Sequence, residues 1–499
     1  MKKSKLPILI FFCCINITFS QAQNFTLTIE EGYGEGDFQK GDSIHVWANK
    51  AGGNQVFTHW SGNGAQYLIL EKEWHTRMVV PNEAAEEELH LIANFDELGS
   101  WSNGQWNLSQ WAELNTDGNF FPTDKIVDFA YPENPKAIVF LIHGTGGNSS
   151  SWIDRYERRS LVKDLIYNNY AVFALNSNET TVGDQDGDGR IRWEINLAKQ
   201  DTSSNIDFKN VLATRDYLFA NIFPEELPVF MIGGSNGANF TDFCTWALDF
   251  KASTHMTGNG SAALFQIVDD LKPILWIQSK NDNNQHADPA AAFSHFNQLV
   301  NQGITSEWYW LERSPAYPHR FNRSTNQINT QTSIVLFDSL RSKQLVDDQD
   351  FLIMQNVNAD FPFDDFLSDF NLSNAQTNDF KDQLNVINAD HGANGDFNKT
   401  IVRFFDDCLL SVSNNDINQP ASTPYTVLPN PFDSFLNIQS KKDQDSFSVE
   451  IFDFKGQLIL EQVLYSNENL DTSSFRPGVY LIRIKTEGRY SECKTVAKF

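Results

Sequence analysis

Apolar residues change their period twice along the chain. Near the N-terminus they recur at every second position: Phe25, Leu27 and Ile29 alternate with Thr26, Thr28 and Glu30, and Ile44, Val46 and Ala48 resume the alternation after Gly41-Asp42. Period two predicts strands with one buried face over 24–96. From Asp124 to about Leu410 the pattern becomes one of continuous apolar runs set between helically spaced segments. Runs at 137–142, 171–175, 229–232, 273–278 and 306–311 read as strands, and 161–167 and 206–219 as helices. Such alternation predicts a mostly parallel sheet covered on both faces. A polar stretch rich in Asn, Ser and Pro, 412–424, reads as a linker. Strand-like segments at 449–453 and 478–484 then predict a small β-sandwich over 425–499. The expected fold class is α/β, flanked by two small all-β domains.

The first 22 residues stand apart from this plan. Lys2, Lys3 and Lys5, an apolar run over 6–19 and the small-x-small triplet Ser20-Gln21-Ala22 read as a secretory signal peptide, 1–22. No other stretch reaches about 18 apolar residues, so no membrane span is expected. Acidic residues outnumber basic ones 64 to 38, a formal charge of -26. That charge repels phosphate backbones and anionic membranes, and nucleic acid is excluded as a partner. Of five Cys, Cys244, Cys408 and Cys493 lie beyond the signal. Their scatter gives no metal-ligand spacing and leaves any pairing open.

Three Trp at a five-residue spacing, Trp101, Trp106 and Trp111, lie among Gly, Ser and Asn in 97–122. Indole faces could stack on a substrate ring. The favoured reading is a Trp-rich linker that docks on the domain after it.

Chemistry concentrates at Gly233-Gly234-Ser235-Asn236-Gly237, which follows a predicted strand and precedes a helix. G-x-S-x-G on a strand-to-helix turn presents a serine hydroxyl at the top of the sheet, with helix N–H groups behind it. His143-Gly144-Thr145-Gly146-Gly147 ends an earlier strand, and such a loop supplies a second oxyanion donor. Thr145 and Asn236 are the expected pair, with Gly146 as alternative to Thr145. His143 itself reads as structural.

An acid and a base should follow the serine in chain order. Asp282 lies immediately beyond the strand at 273–278, at the sheet end that faces the nucleophile. Asp288, just before Pro289, is the reserve. His391 opens onto an amphipathic helix from Asn398 and is preferred as base. His319, shortly after the strand at 306–311, competes with it.

With these residues assembled, 123–411 resembles an α/β-hydrolase, within it the esterase and polyhydroxybutyrate-depolymerase-like group. The resemblance implies Ser235 as nucleophile, Asp282 as its orienting acid, His391 as base, and no required metal or organic cofactor. One departure is the long segment 314–389 before the base. It reads as a lid-like insertion whose phenylalanines line a hydrophobic substrate, or equally as a helical subdomain with its own core.

Two further resemblances frame this domain. Phe57-Thr58-His59-Trp60-Ser61-Gly62, then Met78-Val79-Val80-Pro81 and Ala93-Asn94-Phe95, resemble a bacterial surface repeat of the internalin B-repeat type over 24–96. Its implied role is spacing or adhesion, and His45, His59, His75 and His90 within it read as structural or surface residues. Leu428-Pro429-Asn430-Pro431 and Gly478-Val479-Tyr480 resemble the C-terminal sorting domain of type IX secretion over 425–499. That implies export, then release or surface attachment, with the secretion machinery as partner.

Asp184, Asp186 and Asp188, spaced around Gly187 and Gly189, match the first eight positions of a calcium loop. Ile195 stands where the twelfth-position acid belongs, so a structural calcium ion and a plain acidic turn both remain open. The expected function is a secreted serine carboxylic-ester hydrolase acting on a bulky or polymeric ester such as a polyester. A polysaccharide acetyl or feruloyl esterase, and a surface binding protein with an inert hydrolase-like domain, are the alternatives.

Overall fold

The computed structural model describes residues 24–268, 270–284, 288–413, 425–428, 434–440, 446–453, 458–465, 469–476, 478–486 and 489–498. Residues 1–22, read above as a signal peptide, residues 414–424 of the expected linker and Pro429-Asn430-Pro431 lie outside them. The chain divides into two compact units, Met1–Ala292 with Ser306–Phe404, and Phe293–Thr305 with Phe405–Phe499.

In the first unit, the N-terminal region forms β1 (Asn24–Glu30), β2 (Gly32–Tyr33), β3 (Gly36–Gln39), β4 (Ser43–Ala48), β5 (Gln55–Ser61), β6 (His75–Val79) and β7 (Glu88–Glu97). They make a four-stranded sheet, β3-β1-β7-β5, and a three-stranded one, β2-β4-β6. The alternation holds: Phe25, Leu27, Ile44, Val46, Phe57, Trp60, Met78 and Leu91 all point into one core. Burying each such side chain contributes roughly 1.5–3 kcal/mol.

The central sheet comprises β8 (Trp101–Glu113), β9 (Phe120–Pro132), β10 (Ala137–Ile142), β11 (Tyr170–Leu175), β12 (Val229–Gly234), β13 (Ala252–Met256), β14 (Ile274–Ser279) and β15 (Ser306–Leu311). Their order is β15-β14-β13-β12-β10-β11-β9-β8. β10 to β15 are mutually parallel, and β9 runs antiparallel between β11 and β8. The connecting helices are α1 (Ser151–Asp154), α2 (Tyr156–Tyr167), α3 (Asn178–Val182), α4 (Ile206–Asn221), α5 (Asn236–Ala247), α6 (Ala262–Ile267) and α7 (Pro289–Gln302). β10, β11 and β14 are buried at every position, which explains their unbroken apolar runs.

One reading needs correction. The segment 97–122 is no linker: β8 and the start of β9 extend the central sheet at its edge, and the α/β domain therefore begins near Trp101 rather than at 123. Ser102, Asn103, Gln105, Asn107 and Ser109, between the indoles, take exposed positions of an edge strand, while Gln110 is buried and donates to the Thr214 hydroxyl at 2.6 Å. Trp106 stacks on Phe129 at 4.0 Å and on Phe173 at 5.8 Å, so its ring is packing material. Most phenylalanines of 314–389 pack against one another. Around α8 (Thr330–Ser342), α9 (Val357–Asp360), α10 (Phe363–Leu367) and α11 (Asn374–Ile387), Phe361, Phe366 and Phe380 join Phe321, Leu336 and Leu384 in a separate core. A core of its own is what the helical-subdomain reading of this insertion expects.

The N-terminal domain grips the loop that leads into α12 (Asn398–Ser413). Trp74 donates its indole N–H to the Gly395 carbonyl at 3.0 Å, and His75 meets Asp396 at 2.8 Å. The Glu73 carboxyl accepts from the Thr400 N–H at 2.8 Å and its hydroxyl at 2.9 Å, capping α12 from a different domain. His45 completes the chain, 2.9 Å from His75.

Burial, then the neighbouring His75 and Arg77, pushes the His45 pKa down to about 3. An unfolded imidazole titrates near 6.5, so acid protonates the unfolded chain first. This contribution is fully present above about pH 6.5 and declines as pH falls toward 3, by up to about 1.4 kcal/mol per unit. Urea titrations at pH 7, 5.5 and 4.5 should show the decline, with a shallower slope for His45→Gln. Equal slopes in the two proteins would refute this account.

In the second unit, seven described strands between Tyr425 and Lys498 form a three-stranded and a four-stranded antiparallel sheet. Leu436, Ile438, Phe447, Val449, Ile451 and Ile482 fill their core.

Candidate active site

Ser235 ends β12 and begins α5 with φ 53° and ψ -119°, a conformation that costs a non-glycine residue about 1–3 kcal/mol. The neighbours make the turn possible by having no bulk. A Cβ at Gly233 would lie 2.4 Å from the Gly237 carbonyl, and one at Gly237 would lie 2.4 Å from the His143 oxygen. The His143–Gly147 loop presses against the elbow, since a Cβ at Gly144 would come 3.2 Å from that of Ser235.

This loop carries Thr145 and Gly146, the two candidate oxyanion donors beside Asn236. The Gly146 N–H is already committed to the Ile191 carbonyl at 2.8 Å, which favours Thr145. His143 is buried and held by donors and acceptors alike: Nδ1–H donates to the Gly144 carbonyl at 2.8 Å, and Nε2 accepts from the Ser177 N–H at 3.3 Å. Burial pushes its pKa down to about 4, so it is neutral and shapes the loop, as expected from the sequence.

At the same end of the sheet, beyond β14, Asp282 accepts a 2.7 Å hydrogen bond from His391 Nδ1. The Asp282 side chain is fully buried, whereas that of His391 is 23% exposed, so the carboxylate is dry and the imidazole is reachable. Asn281 N–H donates to the Ala389 carbonyl at 3.1 Å, tying the loop of Asp282 to that of His391. Among the described residues the Ser235 hydroxyl makes no hydrogen bond to His391, whose partner is Asp282. Nucleophile–base contacts commonly tighten only when substrate is bound.

The competitors lie elsewhere. His319 stacks on Tyr33 of the N-terminal domain at 4.5 Å. Asp288 caps α7 by accepting from the Ala290 N–H.

Sequence reasoning missed the supports. Glu157 on α2 accepts from the Gly395 N–H at 3.2 Å and from Gln383 at 2.9 Å, fixing the loop after His391. Trp193 donates its backbone N–H to Asn236 Oδ1 and its indole N–H to the His143 carbonyl, both at 2.9 Å. A strap at 191–193 therefore spans the elbow and the oxyanion loop. No motif marks either residue.

The acidic loop also differs from expectation. Asp184 accepts from the N–H groups of Gly187 and Gly189, and its carboxylate clusters with those of Asp186 and Glu179. Asp188 is not in this cluster, where Glu179 is the third carboxylate, and both Asp186 and Asp188 pair with Arg192.

Eight strands in this order, an antiparallel second strand, and a serine elbow after the fifth define an α/β-hydrolase fold. Residues 426–498 match the family model of the secretion system C-terminal sorting domain, which marks the chain for type IX secretion as a secreted or surface protein. No curated protein sequence matches the chain. Among solved structures, a dienelactone hydrolase from Anabaena variabilis is similar at 13% identity and TM-score 0.30, over 42% of this chain and 87% of that one. The esterase Est22 is similar at 12% identity and TM-score 0.30, over 43% and 72%. A CIB-like hydrolase from Thermoplasma acidophilum is similar at 15% and 0.28, over 48% and 100%. The fold assignment rests on the strand order. Among the described residues no helix is long and apolar enough to cross a membrane.

Proposed function

We propose that this chain is an exported serine carboxylic-ester hydrolase. The observation that carries the reading is the 2.7 Å bond between His391 and a dry Asp282, at the sheet end where a strained Ser235 is displayed. With Nδ1 protonated toward Asp282, Nε2 is free to take the Ser235 proton as Oγ attacks an ester carbonyl. The N–H groups of Thr145 and Asn236 hold the oxyanion, each such donor contributing about 3 kcal/mol. His391 then returns the proton to the leaving alcohol, and water, activated by the same imidazole, releases the acid.

Export and a modular layout favour a bulky or polymeric ester such as a polyester. The insertion's phenylalanines, turned into their own core, lend this no support. The signal peptide at 1–22 and a spacing or adhesion role for the B-repeat-like domain belong to the same reading. Fluorophosphonate labelling of the purified protein tests it: modification should map to Ser235 and vanish in Ser235→Ala. A protein that resists the probe would instead fit a surface binding protein with an inert hydrolase-like domain.

A structural calcium ion at Glu179, Asp184 and Asp186 is also proposed, since three carboxylates converge there. Arg192, paired with Asp186, would have to yield. Calorimetric titration with calcium chloride should give saturable binding that Asp184→Asn removes; a blank with the unaltered protein ends the idea.

A further inference from the structure

A cleft of about 370 Å³ opens where the N-terminal domain meets α2 and the start of α12. Its size lies within the range of small-molecule sites, roughly 300–1,000 Å³. Its lining inverts the charge of the protein. Lys50, Lys72, Arg159, Lys163, Arg323 and Lys399 face it, against two acids, Glu73 and Asp164, in a chain where acids outnumber bases 64 to 38.

Both acids are committed. Glu73 caps α12, and Asp164 binds Lys399 and the Asn398 side chain. Arg323 lies over Trp74 at 3.2 Å and faces Glu157. Among the described residues no carboxylate stands within 4.0 Å of the charged groups of Lys50, Lys72, Arg159 or Lys163.

Two of these cations are held in place by backbone. Lys50 donates to the Ser324 carbonyl at 2.6 Å and Lys163 to that of Gly52 at 2.7 Å, each reaching across the domain junction. A carbonyl orients an ammonium group without neutralising it. Assembly of the two domains thus brings together positive charges that repel one another, which an anion would offset. Burial, then Arg159, lowers the Lys163 pKa to about 8, with Lys50 and Arg323 acting in the same sense and Asp164 opposing.

We propose that this cleft is a binding site for a multiply charged oxyanion ligand, bearing sulfate, phosphate or clustered carboxylate groups, with Lys50 and Lys163 as the oriented contacts and Arg159 and Lys72 at the rim. The chemistry is shared by acidic saccharides and by free polyvalent anions. The site lies apart from Ser235 and does not depend on the esterase reading.

Isothermal titration of the full chain with sodium sulfate, sodium phosphate, trisodium citrate and a sulfated disaccharide, at ionic strength held constant with sodium chloride, tests the proposal. At least one probe should bind saturably at one site, and the double variant Lys50→Gln, Lys163→Gln should weaken it about tenfold or more. Arg159→Glu, at an exposed position, provides the same test if the double variant folds poorly. Saccharide binding stronger than that of the simple anions would identify a saccharide site, and the reverse order a site for free anions. No saturable heat from any probe, or undiminished affinity in well-folded variants, would overturn the proposal.

Discussion

Replacing Ser235 by alanine is expected to cut hydrolysis of p-nitrophenyl esters by a factor on the order of 10⁵ to 10⁶ in kcat, leaving only what the oxyanion donors and binding supply. Stability should barely move. The hydroxyl makes no hydrogen bond to His391, alanine keeps the Cβ, and the positive φ of 53° burdens both residues alike. Ser235→Gly separates the two roles, because glycine accepts that φ at little cost. It should be as inactive as the alanine variant yet more stable, by about 1 kcal/mol. Turnover retained by either variant, measured beside a thermal unfolding curve, would refute the assignment.

The second large effect belongs to Asp282. Its carboxylate can only accept, which obliges His391 to carry its proton on Nδ1 and leaves Nε2 basic. Asp282→Asn keeps the shape but offers an amide N–H₂ as well. The imidazole can then accept at Nδ1, place its proton on Nε2, and lose the means to deprotonate serine. A fall of about 10⁴-fold in kcat is expected, with KM little changed. Because the wrong tautomer affects the base and not the hydroxyl itself, fluorophosphonate labelling should slow but still map to Ser235. A variant with near-normal kcat would show that Asp282 is structural and that the acid lies elsewhere.

The α/β architecture was legible because β10, β11 and β14 are buried on both faces and had to be written as unbroken apolar runs. β13 escaped notice for the opposite reason. Its residues Ala252 to Met256 include Ser253, Thr254 and His255, polar side chains buried at a central position that no apolar pattern reveals. β8 and β9 were hidden likewise, since an edge hairpin with one wet face has polar alternation that also suits a linker. In the insertion, composition showed many phenylalanines but could not say whether the rings face one another or a ligand. Packing alone answers that.

By itself the sequence determined the elbow. G-x-S-x-G between a strand and a helix is a local instruction, enforced by sterics among residues a few positions apart. It also put Asp282 on the loop after β14, at the sheet end where Ser235 sits, because parallel strands send such loops the same way; His391 follows α11, where no such rule applies. Only the tertiary structure decided that His391, and not His319, meets the acid. That choice depends on Trp74, Glu73 and Glu157 holding residues 395–400 from two other elements, and on Tyr33 taking His319 away. The basic cleft belongs to the same class. Its cations are scattered from Lys50 to Lys399, and no one-dimensional pattern records that two domains fold their like charges into one space.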